Sequence, residues 1–313
     1  MRRLLPLLIL IVLVAAGCPS NDNADTETSG AFIGGTRGLE IMFLSGAPPE
    51  QVFDEDFSFD VSVHLKNLGE WPVPKEDVTV TILGVDPVDF GKTPADFTKN
   101  SPDDLEAAEK DPQGNIIEGT VTNVEFDNLQ YAHDVAGEVE FDFIAKTCYK
   151  YGTKVQAKIC VLEDLVGRTG EEQFCDPNSD LAAENSGAPV HVTKAQESVM
   201  GNNKIALSLT LEQVGAGSIH ELASGCDADR QNQDKVLVRV FDPGIGTFDC
   251  SQLDVEGDTQ VGYVKLYEDE RSVRCTIELD DENLNDYEKV LNVELEYDYK
   301  ELRDTPVRVL HSS

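Results

Sequence analysis

FSFDVSVHLKNLGE, residues 57–70, places Phe57, Phe59, Val61, Val63 and Leu65 at every second position and then stops at Gly69. A spacing of two puts those five side chains on one face of an extended chain, which is the pattern of a strand buried on one side. The pattern recurs in KIALSLTLEQVGAG, residues 204–217, where Leu211, Val214 and Gly215 stand 146 positions after Leu65, Leu68 and Gly69. A second echo closes each half: CYKYGTKVQAKICV (148–161) lines up with YDYKELRDTPVRVL (297–310) at an offset of 149. Two echoes in the same order predict two similar β domains in series.

Working outward, alternating runs also occur at 38–44, 77–85, 116–126 and 137–146, and again at 189–196, 236–241, 261–267, 272–279 and 290–299. Short strands punctuated by turns predict an all-β chain of two tandem immunoglobulin-like β-sandwich domains. The expected bounds are 37–166 and 188–313, joined by the polar linker 167–187 around Cys175. Within the first domain, Ser101 and Pro102 suit the start of a short helix over 101–110, and Gly152 suits the turn of a hairpin between 147–151 and 155–161. Trp71, beside Pro72 and Pro74, is expected to cap the end of a sandwich, and His64 to face solvent. In the last run Leu291, Val293, Leu295 and Tyr297 alternate with outward Asn292, Glu294, Glu296 and Asp298.

VSVHLKNLGE and CYKYGTKVQAKICV resemble the immunoglobulin-like domains of prokaryotic cell-surface lipoproteins, archaeal and halophilic ones among them. That resemblance implies a spacer, adhesion or assembly module. A β-sandwich by itself selects none of these roles.

The N-terminus carries the compartment. MRRLLPLLILIVLVAAGC, residues 1–18, has Arg2 and Arg3 ahead of an apolar core too short for an easy membrane span, then Ala15, Ala16 and Gly17 before Cys18. It resembles the lipobox of secreted lipoproteins, which implies cleavage before Cys18 and acylation of that residue. The chain is then exported and held by its lipid on the outer face of a membrane, with residues 19–36 as a polar tether. A general signal peptide or an uncleaved anchor implies export equally.

Six further cysteines follow: Cys148, Cys160, Cys175, Cys226, Cys250 and Cys275. In an exported chain they are disulfide candidates, three in each half, so full pairing requires a bridge between the halves. The expected pairing is Cys148–Cys160 across the hairpin, Cys175–Cys226 at the linker and Cys250–Cys275 within the second domain. No CxxC pair points to zinc or an iron–sulfur cluster.

The 59 acidic residues against 25 basic ones give a formal charge of −34 at 40% hydrophobic content. Such a surface repels itself at low salt and is screened at high salt, which suits a saline exterior or an ordinary acidic secreted protein. Nucleic acid is an unsuitable partner, since no basic stretch is present. No cofactor is expected beyond calcium, for which the acidic turns offer oxygen ligands. Its candidates are Asp54, Glu55 and Asp56, then Asp280, Asp281 and Glu282, with Asp227, Asp229 and Asp234 as a weaker set. No catalytic motif appears, and no Asn-x-Ser/Thr sequon. The sequence therefore leads to a non-enzymatic surface lipoprotein with a structural, spacer or binding role toward a protein or glycan. A β-sandwich hydrolase or carbohydrate-active protein, and a filament or surface-layer subunit, are the alternatives.

Overall fold

The structure is a computed structural model that describes residues 30–55, 57–166, 174–226, 229–250, 252–253 and 260–312. The first half contains β1 (Leu39–Phe43), β2 (Gln51–Phe53), β3 (Ser58–Asn67), β4 (Val78–Leu83), β5 (Thr98–Asn100), a small hairpin of β6 (Glu109–Lys110) and β7 (Ile116–Ile117), β8 (Val121–Gln130) and β9 (Glu138–Val161). The second contains β10 (Asp180–Leu181), β11 (Glu184–Asn185), β12 (Val190–Val199), β13 (Lys204–Gln213), β14 (Ser218–His220), β15 (Lys235–Val240), β16 (Gly246–Asp249), β17 (Val261–Lys265), β18 (Glu270–Leu279) and β19 (Tyr287–Leu310). The chain is all-β, as its alternation requires; helical structure among the described residues is limited to short 3-10 turns.

Three sheets make two sandwiches. The sheet β1-β3-β8 covers one half and the sheet β10-β12-β13-β18-β16 the other. Both rest on a single nine-stranded sheet with the path β17-β15-β19-β9-β4-β5. Over the first half, Phe59 of β3 meets Phe143 of β9 edge to face at 6.2 Å, and Phe90 packs on Phe143 at 5.2 Å. Over the second, Thr153 of β9 donates its hydroxyl to Val190 O of β12 at 2.6 Å.

The shared sheet is built on β9 and β19, each of 24 residues, paired antiparallel along their whole length. At about 3.3 Å per residue each spans ~80 Å, longer than one sandwich needs. The first part of β9 pairs with β4, and its last part lies in the second sandwich beside β11. Conversely β19 begins beside β15 and ends in the first sandwich, parallel to β2. Strand pairing thus crosses both bounds expected from the sequence, and Val307 and Val309 bury completely in the half opposite the one where β19 starts.

The ladder replaces the expected hairpin at Gly152, for a steric reason. A Cβ there would lie 2.7 Å from Trp71 Cδ2, Cε2 and Cε3, so the glycine admits the indole against a continuous strand. Trp71 accordingly sits near the middle of the ladder and does not cap an end. The helix expected over residues 101–110 is also absent. Ser101 turns its hydroxyl onto Asp103 O at 2.7 Å, and Leu105, fully buried, bridges to Val73. One buried leucine draws the segment into extended pairing, since a helix this short has little stability of its own.

The closing echo aligns at 148, one position short of the 149 read from the sequence. Tyr151 sets its hydroxyl over Gly69 as Tyr299 sets its own over Gly215, and Tyr149 corresponds to Tyr297. An odd offset would turn every inward side chain outward, whereas an even one preserves the face.

Candidate functional site

The register of β9 and β19 centres on Lys150 opposite Asp298. Both lie on the outer side of the ladder, and each fastens a loop of its own half. Lys150 forms an ion pair with Asp77. Asp298 accepts from Ala223 N at 3.0 Å, Gly225 N at 2.7 Å and the Ser224 hydroxyl at 3.4 Å, and is only 2% exposed although alternation alone expects it in solvent. On the inner side Tyr149, Tyr151, Tyr297 and Tyr299 stack edge to face. Tyr149 donates to Glu301 at 2.8 Å, and the Tyr297 hydroxyl lies 3.4 Å from that of Thr153, so each half's tyrosine engages the other half's strand. Burial lifts the phenols of Tyr149 and Tyr297 well above the ordinary range, so both keep their protons.

The disulfides are Cys148–Cys226, Cys160–Cys175 and Cys250–Cys275. All six candidates pair and one bridge crosses between the halves, but of the three expected partnerships only Cys250–Cys275 forms. Cys148 and Cys160 lie twelve positions apart on one continuous strand, roughly 40 Å, beyond any disulfide. Cys148 therefore takes Cys226, tying the ladder to the loop held by Asp298, and Cys160 takes Cys175 of the segment expected as a linker. Three such bridges place the chain in an oxidising, exported compartment. No helix among the described residues is long and apolar enough to cross a membrane.

The calcium candidates go to separate places. Asp54 turns inward, 1% exposed, and accepts from Ser312 N at 2.6 Å, Val135 N at 3.0 Å and His311 Nδ1 at 3.1 Å. These donors, Val135 N–H foremost, hold its carboxyl well below the ordinary value. Asp134 and His311, not Glu55, converge on it, within 4.8 Å. The Asp54 side chain raises the His311 imidazole, so the trio works as a clamp on the end of β19. Asp280, Asp281 and Glu282 stand exposed around a 3-10 turn (Asp281–Asn283). Asp229 accepts from Gln231 N at 2.9 Å, and Asp234 occupies a left-handed backbone position. Cys18, Asp56 and Asp227 lie outside the described residues.

Two hollows adjoin the ladder in the second half. One, of about 460 Å³, lies between residues 156–160 of β9 and the segment 174–184. The other, of about 300 Å³, shares Gln156 with it and reaches Phe32 and Phe241. Beside the first is Glu197 of β12, 3% exposed. Its Oε2 accepts Cys160 N–H at 2.8 Å, and its Oε1 has no partner among the described residues. Burial pushes its pKa up to about 8, against the pull of the Cys160 N–H. Little in the sequence points to it: a register shift between Val192 and Lys194 exchanges the faces of β12 and turns Glu197 inward.

Residues 30–36, expected in the tether, are tied down. Glu70 accepts from Ile33 N and Gly34 N at 2.9 Å each, and Glu184 accepts from Ala31 N at 2.7 Å. His64 meets Asn123 Oδ1 at 2.9 Å on the outer face of β3.

No protein-family model matches the chain, and no curated protein matches it either. Among solved structures it is similar to the collagen binding domain of Erysipelothrix rhusiopathiae surface protein RspB, at 9% identity over 89% of this chain and 90% of that one, with a TM-score of 0.14. A score that low carries no argument about fold or function.

Proposed function

We propose that the protein is a non-enzymatic, membrane-anchored surface lipoprotein whose folded part is a stiff spacer and binding module. The observation that supports it most is the 24-residue β9–β19 ladder, which runs through both sandwiches and joins them by continuous strand pairing. A linked pair of domains moves about its linker by default. Here bending would break the central rungs and the tyrosine cluster together, against the restraint of the Cys148–Cys226 bridge. The exported compartment agrees with this reading, and the lipobox-like run ending at Cys18 supplies the anchor. Partners would be the lipid bilayer through that anchor and a protein or glycan along the spacer.

Mass analysis of the mature N-terminus, from protein extracted out of cell envelopes, tests the anchor. Acylated Cys18 as the first residue, and release of a folded Cys18→Ser variant into the medium, are expected. Cys18 retained without lipid refutes the proposal.

A further inference from the structure

Strand β9 changes neighbours along the edge away from β19. Strand β4 pairs with it as far as Tyr149, and β11 only at Val155 and Gln156. Between them Ser186 completes both backbone groups of Lys154, accepting its N–H on Oγ at 2.9 Å and donating to its carbonyl at 2.8 Å. Past Gln156 the covering segment swings off and is recaptured by Cys175 on Cys160. The gap left is the hollow of about 460 Å³.

Backbone groups of an antiparallel strand point in alternate pairs to its two edges. The amides of Lys154 and Cys160 both point away from β19, to Ser186 and Glu197. Lys158 lies between them in the same phase, so its N–H and C=O face the hollow. Ala182 stands next in register after the Gln156–Glu184 pair, yet no described residue of that segment pairs with Lys158. The slot is therefore an interrupted ladder with an open rung, the feature that accepts an added strand.

The lining states the chemistry of the occupant. Asp176, Asp180, Glu184 and Glu288 border the slot, and Lys158, 3.5 Å from Glu288, is the basic residue among its lining side chains. Asp180 is held by Gln196 at 2.6 Å and Glu184 by Ala31 N, neutral donors that fix the carboxylates without cancelling their charge. Phe174 and Val290, 63% and 42% exposed, give apolar contact at the margin. The protein's own tether is a poor fit: it enters beside Glu184, and residues 19–29 carry Asp22, Asp25 and Glu27 with no lysine or arginine.

We propose that this slot binds an extended, lysine- or arginine-bearing segment of a partner protein, which adds a short strand to β9 at Lys158 and sets its basic side chains among Asp176, Asp180 and Glu184. This goes beyond the spacer reading and holds whether or not Cys18 is acylated.

The test uses the purified full chain and a synthetic probe, acetyl-Lys-Val-Lys-Val-Lys-amide, with its glutamate counterpart and a backbone N-methylated lysine form, followed by titration calorimetry at about 0.15 M salt. The lysine probe is expected to bind at one site, and the glutamate probe not at all. N-methylation, which removes the rungs and keeps the charge, should weaken binding about tenfold or more. Ala182→Trp, filling the slot from an exposed position, and the Asp176→Asn/Asp180→Asn pair should do the same. No binding of the lysine probe overturns the proposal. So does binding that is indifferent to N-methylation and to Ala182→Trp, or that occupies several sites, since that is general attraction to a chain of charge −34.

Discussion

Replacing Glu197 by glutamine should make the protein more stable, by a margin that opens above about pH 4.5 and is complete in alkali. In the folded chain the carboxyl of Glu197 is pushed up to about 8, whereas 4.5 is its ordinary value. Between those two pH values the unfolded chain has released a proton that the native state still holds. The unfolded state then binds fewer protons, so stability falls as pH rises. The contribution is complete below about 4.5 and lost as pH passes through about 8. The interval corresponds to at most ~5 kcal/mol, of which ~3 kcal/mol is gone by pH 7. The glutamine amide of the variant keeps an acceptor for the Cys160 N–H and cannot ionise. Melting curves of both proteins between about pH 4 and 9, at one fixed ionic strength, isolate the effect, because the acidic surface is common to both. The curves should nearly coincide at the acid end, and the variant should melt roughly 10 °C higher at the alkaline end. A difference independent of pH, or a variant less stable in alkali, would refute the buried-acid reasoning.

Asp54→Asn should destabilise the end of β19 at neutral pH, seen as faster amide exchange at Val309 and Leu310. Because the folded pKa of Asp54 is lowered, its contribution exists above 3.8 and is lost as pH falls further, so the two proteins should converge in strong acid. Removing Cys148–Cys226, which closes 78 residues, should cost ~4.5 kcal/mol in denaturant titrations, against ~3 kcal/mol for Cys160–Cys175, which closes 15. The reverse order would show that the seam does not depend on its bridge. Gly69→Ala and Gly215→Ala push a methyl group against the hydroxyls of Tyr151 and Tyr299 and should each cost ~2 kcal/mol or more, while Gly201→Ala, whose methyl would meet Lys204 Cβ at an ordinary 3.9 Å, should stay within about 0.5 kcal/mol in the same assay. Tyr151→Phe, which leaves buried Asn67 without its 3.0 Å donor, should cost ~1 kcal/mol.

The β class was readable because burial on one face writes itself as alternation: Phe59, Val61, Val63 and Leu65 of β3 are buried as their spacing requires, whereas Phe57, expected on the same face, lies just before the strand and is 39% exposed. The ladder was harder to read, since a 24-residue strand looks like two strands and a turn when it contains a glycine. The reason for Gly152 is Trp71, 81 positions earlier, and no local pattern carries that. The echo at residues 148–161 was found one position out of phase, because its tyrosines, not its valines and cysteines, hold the structural equivalence. Disulfide pairing followed from the ladder and failed with the hairpin. Asp54 stands out in the sequence by its acidic neighbours, whereas its partners come from residues 134–135 and 311–312. Glu197 was hidden by a register shift that sequence spacing does not reveal.

The central claim is that the shared ladder makes two sandwiches one unit. Calorimetric unfolding tests it most directly. About 280 residues unfolding together near 60 °C should absorb ~200 kcal/mol in a single transition whose van't Hoff enthalpy equals the calorimetric one. Two transitions, or a van't Hoff enthalpy near half the calorimetric value, would show that the halves unfold independently and would contradict the account.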